Sequence, residues 1–150
     1  MSMKLSVQIC SLLISFFTVA LFPNSLKAQE AFPSSDGEKA KYMCHIEMPK
    51  GYISGICVLR QQEGLIIGSI FNEFGISAMD FTCDLAKKKV KLHSVVKMLD
   101  RWYIKRMLRK DLCQVMYELK NGGSIYENKK YHIVYTFVPV TNSQQDDGGQ

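Results

Sequence analysis

The chain reads as an α+β protein: a curved, half-barrel-like antiparallel β-meander covered by one long amphipathic helix. Two observations carry this class. Between Tyr42 and Met98 apolar and polar side chains alternate in short runs separated by turn-forming residues, the period-two mark of strands with one buried face. Beyond Asp100 the apolar spacing changes to three and four, through Ile104, Leu108, Leu112, Val115, Met116 and Leu119, which share one face of an α-helix.

The strands follow in order. Tyr42, Cys44, Ile46 and Met48 alternate against His45 and Glu47, and Pro49-Lys50-Gly51 turns the chain. Tyr52 to Arg60 is a second strand, closed by the hairpin loop Gln61-Gln62-Glu63-Gly64. Leu65 to Phe71 is a third, and Asn72-Glu73-Phe74-Gly75 turns into a fourth over Ile76 to Cys83, with Met79, Phe81 and Cys83 on one face. The fifth, Lys89 to Met98, sets Val90, Leu92, Val96 and Met98 on one side and Lys89, Lys91, His93 and Lys97 on the other, with Val95 as the exception.

Asp100 stands where an N-cap belongs. The helix that follows is about 19 residues long, with Arg106, Arg109 and Lys110 opposite its apolar face, and Asn121-Gly122-Gly123 supplies the left-handed residues that end helices. Tyr131, Ile133, Tyr135 and Phe137 alternate as a last strand. Links of two to five residues between the first five strands predict an antiparallel meander, and sheet twist curls it. The helix is the one other element able to cover its concave face, since an uncovered face would leave a large apolar patch.

The 150 residues divide into four segments. Met1 to Ala28 has the plan of a secretory signal peptide: Lys4, an apolar run from Ile9 to Phe22, and a polar end with cleavage expected after Ala28. That run is shorter than the roughly 20 residues of a membrane span. Residues 29–41 read as a flexible leader, 42–138 as one domain and 139–150 as a disordered tail. The expected location is the periplasm or cell envelope. Without the signal peptide the counts are 17 basic and 14 acidic residues, net +3. Ten basic residues and one acid, Asp100, fall between Lys87 and Lys110, so one strand and one helix form a basic patch on a mildly acidic body. Cys44, Cys57, Cys83 and Cys113 permit two disulfides in three pairings, and serve equally as small buried hydrophobes. None has the C-x-x-C spacing of a zinc or redox motif.

No catalytic constellation is visible: there is no nucleophile elbow, P-loop, dinucleotide fingerprint or H-E-x-x-H. His45, His93 and His132 fall on the polar sides of three separate strands, so no metal or cofactor site is expected. Two surfaces remain. The basic residues Lys91, Lys97, Arg106, Arg109 and Lys110 form a face suited to an acidic protein partner or an anionic membrane surface. The adaptable, apolar Met79, Phe81, Met98, Trp102, Leu108, Leu112 and Met116 would line a groove between sheet and helix. Nucleic acid fits poorly, because only Trp102 and Tyr103 interleave with the basic run. Unpaired edges on the first and last strands leave room for a homodimer.

Gly51-Tyr52-Ile53-Ser54-Gly55-Ile56-Cys57-Val58-Leu59-Arg60, followed by Gly68-Ser69-Ile70-Phe71-Asn72-Glu73-Phe74-Gly75-Ile76-Ser77-Ala78-Met79-Asp80-Phe81, is an apolar strand, a glycine turn and another strand. In this order, with a leader and a covering helix, it resembles the central hairpin of the periplasmic lipoprotein carrier and receptor (LolA/LolB-like) family. The Asn-Glu-Phe-Gly turn ahead of a basic helix also resembles small exported proteins of Bacteroidetes-type bacteria. The family resemblance covers about residues 42–138 and implies an open curved sheet whose cavity takes lipid or lipoprotein acyl chains. The sequence therefore sets up two expectations. The first is a non-enzymatic exported protein that binds an acyl chain between sheet and helix. The alternative is a solid-core interaction module that docks through its basic helix face.

Overall fold

A computed structural model describes residues 32–141. The expected signal peptide, the start of the leader and most of the tail lie outside the described residues. The described chain is a seven-stranded antiparallel sheet, curled into a half-barrel, with one long helix: β1 (Lys39–Met48), β2 (Gly51–Gln62), β3 (Leu65–Asn72), β4 (Ser77–Asp84), β5 (Lys89–Val95), α1 (Trp102–Lys120), β6 (Ile125–Asn128) and β7 (Ile133–Pro139). The strand order is β5-β4-β3-β2-β1-β7-β6. The meander from β1 to β5 is as expected, but β7 returns to pair with β1, placing Ile46 opposite Tyr135 and Cys44 opposite Phe137. The first strand is therefore central, and the free edges belong to β5 and β6. Helix α1 packs against both of those edge strands, so it fills the opening left by the curl.

Four local expectations are corrected. The segment 32–41 is built into the domain: Phe32 is buried, Ser34 and Ser35 donate their amides to Glu38 at 2.8 and 2.9 Å, and β1 starts at Lys39. The fifth strand stops at Val95, whose pairing with Met79 is the last of a ladder that shifts register at Asp80/Phe81 and then resumes. Lys97–Leu99 then forms a 3₁₀ turn that buries Leu99 in place of Met98. Asp100 is not the N-cap. Arg101 holds that position with no side-chain cap, and Asp100 instead accepts from Lys105 Nζ at 2.7 Å. Tyr131 and His132 belong to the turn between β6 and β7, and β6 itself is an element that periodicity missed.

The far end of α1 closes as the glycines predict. Gly122 takes φ +84°, its amide donates to the Leu119 carbonyl, and the Gly123 amide donates to that of Glu118 at 2.8 Å. This double closure is the Schellman motif. The inner face of the helix buries Leu108, Leu112, Val115, Met116 and Leu119 against Ile46, Ile70, Met79, Phe81, Tyr135 and Phe137 in one core cluster. Each large side chain buried there contributes roughly 1.5–3 kcal/mol.

Candidate functional site

Helix α1 and the β6–β7 hairpin meet at one buried polar point. Asp111 sits on the apolar face of the helix and is only 3% exposed. Asn128 Nδ2 donates to both of its carboxylate oxygens, at 2.8 and 2.9 Å, and Tyr135 Oη donates to Oδ2 at 2.8 Å. Burial pushes the Tyr135 hydroxyl well above the ordinary phenol range, and the Asp111 charge pushes it further the same way. Tyr126 is raised by partial burial first, then by Asp111 and Glu118. Tyr135 thus stays a proton donor, and with both carboxylate oxygens engaged Asp111 serves as an anchor. Among the described residues every buried side-chain polar atom has a partner.

Above this anchor opens a cleft of about 590 Å³ between the first half of α1 and the β6–β7 turn. Its aromatic walls are Trp102, Tyr103, Tyr126 and Tyr131; Trp102 is 73% exposed and meets Tyr103 edge-on, with ring centroids 6.0 Å apart. Arg106, Lys110 and Lys130 supply positive charge, and Gln114 and Asn128 supply amides. None of these three cations is in an ion pair among the described residues; Lys130 lies 5.3 Å from the centroid of the Tyr131 ring. Cleft walls that combine open aromatic faces with unpaired cations can take an anionic group on a partly apolar body.

The sequence-based groove residues do not gather at this cleft. Met79, Phe81, Leu108, Leu112 and Met116 are at most 1% exposed. They present no surface that water could reach from outside or from an internal void beside them. The Phe81 ring lies so close over Gly68 that a methyl added there would sit 2.2 Å from it. Met98 is exposed outside the cleft, and Trp102 alone of the seven lines it. Of the basic face, Arg106 and Lys110 come together at the cleft. Arg109 is exposed elsewhere on α1, Lys91 lies on β5 and Lys97 in the 3₁₀ turn. Sequence reasoning missed Asp111, Tyr126, Asn128, Lys130 and Tyr131. An acid three residues after Leu108 and four before Val115, on the greasy stripe, was the available sign of the anchor. Two tyrosines, Tyr126 and Tyr131, bracketing Lys129 and Lys130 were the sign of the cleft wall.

A second polar cluster lies on the sheet. Asp80 accepts from Ser77 at 2.9 Å and from Ser94, and Thr82 Oγ1 is 2.7 Å from His93 Nε2. Partial burial is the largest single influence on the Asp80 carboxyl and raises it, but the hydroxyls of Ser94, Ser69 and Ser77 and the nearby His93 together outweigh it and hold it below the usual range. Among the described residues no group of three or more His, Cys, Asp or Glu could hold a metal ion. No helix there is long and apolar enough to cross a membrane. No protein-family model, no curated protein and no solved structure matches this chain.

Proposed function

We propose that this is a non-enzymatic interaction module of the cell envelope that receives an acidic protein segment in the cleft between α1 and the β6–β7 turn. One observation carries the reading: three unpaired cations and three exposed aromatic rings converge on one concave site. The helix adds to it. Its first turn has no capping side chain and no acidic residue, so the positive end of the helix dipole stands beside Trp102 and Tyr103 at the rim of the cleft. A concave wall with amide donors suits an extended acidic segment better than a flat membrane surface does.

The test uses a short glutamate-rich, tyrosine-containing peptide as probe. Calorimetry should show binding that weakens several-fold between low and physiological salt, because exposed charges are screened over about 8–10 Å. The double reversal Arg106→Glu/Lys110→Glu should abolish it. Equal binding by the double variant removes the proposal. The acyl-chain reading requires α1 to lift from the sheet, since the side chains between them are packed against one another. Native mass spectrometry separates the two: a lipid co-purified from an envelope fraction supports lifting. An apo mass that no added lipid shifts supports docking.

A further inference from the structure

The outer face of the sheet, turned away from α1, carries an apolar belt. Along β1 the exposed side chains are Lys39, Lys41, Met43, His45 and Glu47, alternating with buried neighbours that belong to the core. Strand register lines Met43 up with other apolar residues. Val138 on β7 pairs with Met43, Met43 with Ile56 on β2, and Ile56 with Phe71 on β3. Met43 is 62% exposed, Val138 50% and Ile56 45%, while Phe71 is half-buried. Four neighbouring strands thus hold one unbroken apolar row toward water, at right angles to their own direction. The solvated face of an antiparallel sheet is ordinarily polar, and a contiguous apolar row on it is the sign of a contact surface.

Charge is sorted on the two sides of this row. Two and four residues before Met43 stand Lys41 and Lys39, with Arg60 paired opposite Lys39. Two and four residues after it stand His45 and Glu47, and Glu127 on β6 is level with Glu47 through Val134. None of Lys39, Lys41, Arg60, Glu47 and Glu127 is in an ion pair among the described residues.

We propose that this face is the contact between two copies of the chain, related by a two-fold axis that runs along the apolar row. Such an axis reverses the strand direction while laying β1 on β1 and β2 on β2. Val138, Met43, Ile56 and Phe71 then each meet their own counterparts. Lys39 of one copy meets Glu47 of the other, and by symmetry this happens twice. Arg60 comes over the exposed ring of Tyr52 of the second copy, because Tyr52 pairs opposite Glu47 as Arg60 does opposite Lys39. An axis along the strands would instead stack Lys39 on Lys39, so charge selects between the two arrangements. The area suits a dimer of modest strength. Four strands about 4.8 Å apart and nine residues at about 3.4 Å each make a patch of roughly 600 Å². Two such patches bury about 1,200 Å², the lower bound of a specific interface. The contact leaves the free edges of β5 and β6 unused and shares no residue with the cleft beside α1, so it stands apart from the docking reading.

Sedimentation velocity over a concentration series tests it. Monomer should pass to dimer at micromolar concentrations, and Met43→Lys, which sets two ammonium groups against each other on the axis, should weaken the dimer about tenfold or more. Lys39→Glu alone and Glu47→Lys alone should each weaken it, and the double swap should restore it, since these two groups meet only across the axis. Met43→Cys should cross-link to its own counterpart under mild oxidation, where the unmutated protein does not. The substituted side chains are all exposed, so the core stays intact in every variant. A chain that stays monomeric at millimolar concentration overturns the proposal and leaves the row to another occupant, such as a lipid surface or a segment outside residues 32–141. A dimer that Met43→Lys does not weaken, or that the double swap does not restore, overturns it as well.

Discussion

The two halves of α1 are built on different principles. From Asp111 to Lys120 the helix buries Asp111, Leu112, Val115, Met116 and Leu119 and ends in a fully bonded Schellman closure. From Trp102 to Lys110 it buries only Leu108, begins without a capping side chain and exposes Trp102, Tyr103, Arg106, Arg109 and Lys110. One half is held by five buried side chains, and the other by Leu108 with the half-buried Ile104 and Met107 against the core. The cleft lies along the weakly held half, where side chains are free to meet a partner. Local stability is lowest where few apolar groups are buried, and binding surfaces are drawn from such regions.

The sharpest way to break this comparison is to remove packing from the strong half. Leu112→Ala should cost about 3–4 kcal/mol, because a fully buried leucine leaves both lost transfer energy and a cavity. Chemical denaturation measures it. A cost near zero would mean that the helix is not the lid of the core. Next in size is the anchor. Asp111→Ala strands the Tyr135 hydroxyl and the Asn128 amide and should cost about 2–3 kcal/mol. Asp111→Asn, which keeps an acceptor, should cost less. Hydrogen exchange should then speed up in β6 and the first turns of α1 while β1 to β4 stay protected. Uniform loss of protection would show that the two halves melt as one.

What the sequence made legible follows the same division. The strong half was readable because its burial is periodic: Leu112, Val115, Met116 and Leu119 are all inside. The strands β1 to β4 were readable for the same reason. Asp111 was hidden because a carboxylate on an apolar stripe is satisfied by Asn128 and Tyr135, partners 17 and 24 residues away. Strand β6 was hidden because it is four residues long and turns Tyr126 and Asn128, not aliphatic residues, to its more buried side. The pairing of β7 with β1 is a choice among distant partners that local alternation does not encode. Met98 and Leu99 exchanged roles because a 3₁₀ turn replaced the strand whose period would have turned Met98 inward.

The end of the strong half gives a smaller effect. Gly122→Ala should cost about 1 kcal/mol, since φ +84° is a region that L side chains resist. Thermal unfolding of the variant checks it, and an unchanged midpoint would show that the closure adds nothing to the packing already there.

The smallest effect belongs to the start of the weak half, where the one ion pair on α1 among the described residues joins Lys105 to Asp100. The hydrogen bond and then the charge of Lys105 hold the Asp100 carboxyl below its ordinary value. A carboxyl whose folded pKa is depressed contributes stability that is present above its unfolded value, near pH 4. That stability is lost as pH falls through the lower folded value. Asp100 is fully exposed, so the contribution is small and screened by salt. Lys105→Ala should return the Asp100 titration, followed by carbon-detected NMR, to the ordinary carboxylate range. It should quicken amide exchange in the first turn of α1 alone. If exchange beyond Asp111 quickened as well, the two halves would be mechanically one, and the cleft would owe its openness to something other than a loosely held helix start.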